Sequence, residues 1–304
     1  MKIVSGKQSK PQRVVIYGVE SVGKSTFASR FPKPLFLDVE QGTAHLDIDR
    51  AAISTGAELD AAIKECAATD YKTIIIDSID WAERLLIDQL LADTKKKSIE
   101  DFGYGKGWVQ VAERMARLIN SLDSLIANGK HVVLVAHSKV QRVEPPDLMA
   151  AYDRYELKMS KQCSPLVKEW ADELWFARFK TKTIESESGR AKGIGGKERV
   201  LYTTHSAAYD AKTRSGLAEE LPMAWESVAH LFVSNNDTKP AQKQVPSWQF
   251  QIEEHAADVD AFLIAKEAIK AGQTWRDANA KALARIEADP AGFLAKVREW
   301  KEAK

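Results

Sequence analysis

Apolar residues along this chain follow two rhythms. Short β-branched runs at residues 14–17, 35–39, 73–77 and 131–136 read as buried strands. Between them, residues 57–68, 79–92 and 108–127 carry apolar positions at helical spacing. In the last stretch Val111, Met115, Leu118, Ile119, Leu122, Leu125 and Ile126 fall on one helix face. Strands and helices that alternate in this way predict an α/β fold, with a mostly parallel sheet covered on both faces. In such a fold, ligands sit at the carboxyl ends of the strands.

The rhythm changes after residue 138. Residues 139–160 are polar, contain Pro145-Pro146, and read as a long loop; a loop of that length inside a domain is usually functional or disordered. Residues 173–179 resume as a strand, residues 185–198 with Gly189, Gly193, Gly195 and Gly196 read as a flexible hairpin tip, and residues 199–204 return. The organisation expected is an arm over residues 1–12, a core over 13–232, a linker over 233–250 and a small helical region over 251–304. The last has amphipathic stretches at 259–271, 275–288 and 290–302, with Trp275 and Trp300 as docking or partner-binding candidates.

Composition narrows the possibilities only slightly. The 304 residues are 44% hydrophobic and 29% charged, ordinary values for a globular protein. Lys and Arg total 44 against 43 Asp and Glu, a net charge of +1, so any nucleic-acid contact must come from a local basic groove. Cys66 and Cys163 are far apart and lack metal spacing, which points to a reducing cytoplasm. No apolar run approaches a membrane span, and Met1 to Lys7 lacks a signal-peptide core.

The strongest chemical signal is the segment Gly18-Val19-Glu20-Ser21-Val22-Gly23-Lys24-Ser25, which spells G-x-x-x-x-G-K-[ST]. Its glycines let backbone N–H groups wrap a polyphosphate, Lys24 reaches the β- and γ-phosphates, and Ser25 offers its hydroxyl to Mg²⁺. Thr26 comes directly after and completes the candidate nucleotide-binding set. An apolar strand precedes the loop, and a short helix stopped by Pro32 and Pro34 succeeds it. Three further strands end in polar residues. Asp77 closes an apolar run in the Walker B pattern and is the second candidate for Mg²⁺. Glu40 stands where a carboxylate polarises water, or is a solvated loop acid or helix cap. His137 donates to a γ-phosphate oxygen or is structural.

These segments together resemble the RecA/RadA branch of P-loop ATPases, and most of all the small RecA-core proteins of bacteriophages, which are single-strand annealing or nucleotide-binding proteins. The matching segments are residues 18–25, residues 35–40 with Gln41-Gly42, residues 74–77 and residues 132–137. The resemblance implies a RecA-like core, ATP and Mg²⁺ as cofactors, Glu40 as the catalytic glutamate, His137 as the polar sensor and Lys24 as the phosphate-binding lysine. It also implies that Lys212 and Arg214, in Lys212-Thr213-Arg214-Ser215-Gly216, reach into a neighbouring subunit's site, so that the protein acts as a ring or filament of identical chains. In this family two loops line a DNA channel. Their counterparts here carry Lys95, Lys96, Lys97, Phe102, Tyr104 and Lys106 in the first, and Lys139 and Arg142 in the second.

The function implied is an ATP-hydrolysing, single-stranded-DNA-binding protein that promotes annealing or recombination, encoded by a phage and working in the bacterial host cytoplasm. A single-strand-binding protein held by the C-terminal helices is a possible partner. Two other readings stay open: a nucleotide-gated module that assembles and recruits replication proteins, and a ring helicase or motor.

Overall fold

The computed structural model describes residues 5–6, 10–145, 150–185, 191–232, 252, 255–270, 273–279, 282–283, 286 and 288–303. The chain divides at Ser234/Asn235 into two compact units. The first alternates strands and helices. It begins β1 (Arg13–Gly18), α1 (Lys24–Ala28), β2 (Pro34–Asp38), β3 (Asp49–Ala52), α2 (Gly56–Cys66), β4 (Thr73–Asp77) and α3 (Ile79–Thr94). It continues α4 (Lys106–Ala127), β5 (His131–Val143), β6 (Tyr152–Leu157), α5 (Cys163–Trp170), β7 (Glu173–Glu185) and β8 (Ala191–Tyr202), then the short β9 (Lys212–Thr213) and β10 (Glu220–Pro222).

Among the described residues the strand order is β10-β8-β7-β1-β5-β4-β2-β3, with β6 beside β5 and β9 beside β7. The strands from β7 to β3 are parallel to their neighbours, and β8 and β10 extend the sheet antiparallel. The α/β fold with a mostly parallel sheet is therefore present.

Period-two alternation sends each strand's residues to opposite faces. Val15, Tyr17, Leu37, Ile74, Ile76, Val132 and Leu134 face a core shared with α2 to α5. Val14, Ile16, Phe36, Ile75, Val133 and Val135 face a second core with Phe27, Phe31, Val228 and Phe232. Because both faces are covered, the central strands read as unbroken apolar runs.

Two expectations need correction. Residues 139–160 are not a long loop. β5 continues past His137, and Ser138–Val143 pairs antiparallel with Tyr152–Leu157 of β6. β1 flanks β5 only to His137 and β4 only to Val135, so beyond that point the hairpin has no neighbouring strands to bury it. Its strands therefore carry polar residues and lack an apolar signature. Likewise the backbone of residues 191–198 belongs to β8, paired with β7, rather than to a hairpin tip. Residues 186–190, the rest of that tip, lie outside the described residues, as does the linker expected over 233–250.

Of the expected N-terminal arm, residues 10–12 are tied to the first unit. Lys10 pairs with Asp172 at 2.9 Å, and the Gln12 N–H donates to His131 Nδ1 at 3.0 Å. Burial holds the His131 imidazole down at about 4, so it stays a neutral acceptor.

The second unit has α6 (Ala256–Ala265) and α7 (Pro290–Glu302), with a single 3₁₀ turn at Trp275–Asp277. The helix expected from Trp275 is interrupted: Ala278 and Asn279 are non-helical, and helix is found at Ala282 and Leu283. Trp275 is buried with Val259, Leu263, Ile286, Leu294 and Val297 in this unit's own core, so it is not a surface anchor. Trp300 lies edge-on to Phe262 at 5.6 Å. No helix of the described residues is long and apolar enough to cross a membrane.

Candidate nucleotide site

The loop after β1 is shaped by two glycines with different jobs. A Cβ on Gly18 would lie 2.0 Å from the Ala177 carbonyl oxygen, so only glycine lets β1 end this close to β7. Gly23 has φ +94°, a left-handed turn that starts α1 and that a side chain would strain. Lys24 is buried, 7% exposed, and arches back over its own loop. Its Nζ donates to the carbonyls of Val19 at 3.0 Å and Gly18 at 3.2 Å. Burial holds its pKa below the ordinary lysine value, while the carboxylates of Asp77, Asp80 and Glu40 pull the other way.

Strand register brings the remaining residues to the same sheet end. Gly18 is level with His137 on β5, and Asp38 is level with Asp77 on β4. The backbone N–H groups of Val39 and Glu40 both donate to the Asp77 carbonyl, at 2.8 and 3.1 Å, which seats Glu40 beside that strand end. Glu40 accepts from the Ser78 hydroxyl at 3.4 Å and lies 3.8 Å from His137 Nε2.

Asp77 is buried, and burial pushes its carboxyl up to about 6, with the Ser25 hydroxyl bond working against that rise and the charges of Glu40 and Asp38 adding to it. Its Oδ2 atom has no hydrogen-bond partner among the described residues. A buried, unpartnered carboxylate oxygen beside a hydroxyl fits a hydrated Mg²⁺ that takes its other oxygens from phosphate and water.

These residues line one cavity of about 400 Å³, together with Ser21, Thr26, Asp38, Gly42, Thr43, His45 and Arg199. Three of its determinants were not found in the sequence. Asp38 is buried and accepts from the Gly42 and Thr43 N–H groups and the Thr43 hydroxyl, which fixes the loop that carries Glu40. Asp80 accepts from the His137 N–H and from its ring Nδ1, both at 3.0 Å. Arg199 comes from β8, far away in sequence, and its guanidinium stands beside Gly23. Asp80 is readable in principle as an acid in the first turn of α3, and Asp38 as the carboxylate that closes the apolar run of β2; nothing local marks Arg199.

The His137–Asp80 pair has a pH signature. The hydrogen bond that its ring donates to Asp80 raises the His137 pKa above 6.5, against the effect of burial. Burial acts to raise Asp80, but its bonds and charge contact with His137 outweigh it, leaving the carboxyl below 3.8. For a raised histidine the added stability is complete below its unfolded pKa and is lost as pH rises through the folded one. For a depressed acid it is complete above the unfolded pKa and is lost as pH falls through the folded one. The pair therefore stabilises most between about pH 4 and 6.5. Asp80→Asn keeps an acceptor for the backbone N–H but removes the ion pair. The melting-temperature gap between wild type and Asp80→Asn is expected to be widest near pH 5–6 and to narrow above pH 8. A pH-independent gap would mean that His137 is not charged in the folded state.

Other expected site residues lie elsewhere. β9 pairs with Glu173 and Leu174, the first residues of β7, whereas Gly18 is level with Ala177 further along. Lys212 and Arg214 thus stand at the opposite sheet end from the P-loop of the same chain. Lys212 Nζ donates to the Lys168 carbonyl at 2.7 Å, and Arg214 pairs with Asp172 at 2.7 Å. The lysine cluster comes after α3, a helix about 24 Å long that starts at the site. Lys95 and Lys97 are exposed there, and Lys96 donates to the Asp101 carbonyl and covers the Phe102 ring at 4.9 Å. Phe102 packs partly on the core, so its ring is not an open stacking platform. Tyr104 is fully exposed and Lys106 is exposed beside it. On the β5–β6 hairpin, Arg142 is exposed opposite Asp153, and Lys139 donates to the Met159 carbonyl at 2.7 Å.

The sequence profile of the AAA_24 family, described as an AAA domain, matches residues 10–215. A SPbeta prophage-derived uncharacterized protein of Bacillus subtilis (strain 168), YorG, is 28% identical over 136 residues. That match covers 41% of this chain and 40% of the length of the relative. A KaiC-like protein from the hyperthermophilic archaeon Pyrococcus horikoshii OT3 is 14% identical, with a TM-score of 0.36 over 68% of this chain and 81% of that one.

Proposed function

This chain belongs to the AAA domain family, as a P-loop ATPase, and from that premise we propose that it hydrolyses MgATP and couples the hydrolysis to binding and annealing of single-stranded DNA. The observation that carries the hydrolytic part is the arrangement of Glu40 just after β2, Asp77 at the end of β4 and His137 within β5, level with the end of β1, around Lys24 and Ser25. Glu40 orients and deprotonates the attacking water. Lys24 and His137 meet the charge that builds on the γ-phosphate, and Ser25 and Asp77 hold Mg²⁺, which when bound neutralises the β- and γ-oxygens.

The DNA part rests on the hairpin that β5 builds beyond His137. Asp80 and Glu40 contact His137, and the hairpin continues the same strand with Lys139 and Arg142. A change at the γ-phosphate therefore has a direct backbone route to those basic residues. Lys95, Lys97, Lys106 and Tyr104 offer a second basic and aromatic surface. Lys212 and Arg214 complete a neighbouring chain's site in a homo-oligomer. The prophage-derived relative supports a phage origin, and the place of action proposed with it is the host cytoplasm.

The test measures ATP turnover with and without single-stranded DNA, alongside annealing of complementary oligonucleotides. Turnover is expected to rise several-fold with DNA, and the rise to vanish between about 50 and 200 mM salt, because phosphate contacts release counterions. Turnover indifferent to DNA, with no annealing, would overturn the DNA part and favour a nucleotide-gated recruitment module.

A further inference from the structure

A second cavity of about 550 Å³ opens on the other side of the P-loop, and Gly23, Thr26 and Arg199 line both. Beyond those shared residues its walls include Arg30, Met223 and Trp225. The polarity of the loop gives the two cavities different ends of a nucleotide. The γ-phosphate end proposed for Lys24 and His137, the water proposed for Glu40 and the cation proposed for Ser25 and Asp77 all fall in the first cavity, so the γ end points into it. The α-phosphate must leave in the opposite sense, past Gly23 and Thr26, and that exit is the second cavity.

Its chemistry suits the nucleoside that an α-phosphate carries. Trp225 is half-buried and held in place by Phe31 at 5.0 Å and Phe232 at 5.4 Å between ring centroids, so an aromatic wall is already fixed. The Met223 N–H donates to the Arg199 carbonyl at 3.0 Å, which ties the segment bearing Trp225 to the strand bearing the arginine. The Arg199 side chain stands against Gly23 and lies 5.9 Å over the Phe179 ring, and Glu226 lines the second cavity with it. An exposed guanidinium at the junction of the two cavities is placed for an anion passing between them.

We propose that the second cavity is the nucleoside subsite: the base packs against Trp225 and Met223, and Arg199 holds the α-phosphate at the junction. The proposal rests on the nucleotide-binding reading above and adds which side chains receive the base. Aromatic stacking accepts any base face, so the subsite favours nucleotides over bare polyphosphate without strong base selection.

The test compares MgATP with magnesium tripolyphosphate, which has the phosphates and no nucleoside, by calorimetric titration of the full chain. Wild type is expected to bind MgATP at least about tenfold more tightly. Trp225→Ala should bring MgATP affinity down to that of tripolyphosphate and leave tripolyphosphate within about twofold. Because Trp225 also packs on Phe31 and Phe232, Ala224→Tyr provides an independent arm. Ala224 lines the cavity with an extended backbone that takes any side chain, and a ring there fills the space. It too should weaken MgATP selectively. Arg199→Ala should weaken both ligands.

If Ala224→Tyr leaves MgATP affinity unchanged while Lys24→Ala abolishes binding of both ligands, the base lies elsewhere and the subsite assignment is wrong, with the P-loop reading intact. If Lys24→Ala leaves both ligands bound, the nucleotide reading itself fails and the subsite with it. Equal loss of both ligands in Trp225→Ala and Ala224→Tyr would show a general disturbance of the loop and overturn the assignment.

Discussion

Glu40→Gln is expected to cut ATP turnover by roughly 10²- to 10⁴-fold while MgATP affinity changes by less than a few-fold. The substitution keeps size and shape. The glutamine carbonyl can still accept from Ser78, whose hydroxyl lies 3.4 Å from Glu40 Oε2, so the loop after β2 has no reason to move. Asp38 fixes that loop independently through Gly42 and Thr43. The variant lacks a group able to take a proton from water. No other carboxylate in or beside this cavity is as well suited to that role, because Asp38 is engaged with its own loop, Asp80 with His137, and Asp77, which bonds Ser25, is the proposed cation ligand. Single-turnover rates with pre-bound ATP separate chemistry from binding. A variant that turns over like wild type would remove Glu40 from the mechanism.

Lys24→Ala is expected to lose MgATP binding by about 10²-fold or more, since charge-assisted bonds to phosphate contribute about 1.5–3 kcal/mol each. Folding should be nearly unaffected. The lysine is buried, but its hydrogen-bond partners are two carbonyls of its own loop, and removing it removes a desolvated charge along with those bonds. The readout is thermal. A ligand bound only by the folded state stabilises it by about 2.7 kcal/mol at a hundred times its dissociation constant. Wild type should melt higher in saturating MgATP. The variant should melt near the wild-type temperature without nucleotide and show no rise with it. A variant that keeps the MgATP-dependent rise would mean that the nucleotide binds away from this loop.

How legible each residue was in the sequence depends on the range over which it acts. Gly18, Gly23, Lys24 and Ser25 do their work within one turn of chain, so their spacing alone declares it. Asp77 and His137 each end an apolar run, and a buried parallel strand announces itself by that run. The hairpin beyond His137 is hard to read for the complementary reason: apart from Leu157 and the partly buried Tyr155 its positions are mostly polar, so it carries little hydrophobic rhythm. Phe102 was a fair stacking candidate by type, but whether a ring faces solvent or core is decided by what α4 and the turn before it cover.

Local propensity and periodic burial are written residue by residue, so the phosphate loop, the parallel sheet and the apolar runs that lead to Glu40, Asp77 and His137 can be read from the chain alone. Long-range packing is what makes Asp38 and Asp80 hold those groups in place and brings Arg199 in from β8. It also puts Lys212 and Arg214 at the far end of the sheet in their own chain. Those facts depend on register between strands far apart in sequence. Register is set by the packing of whole faces rather than by any short stretch of residues.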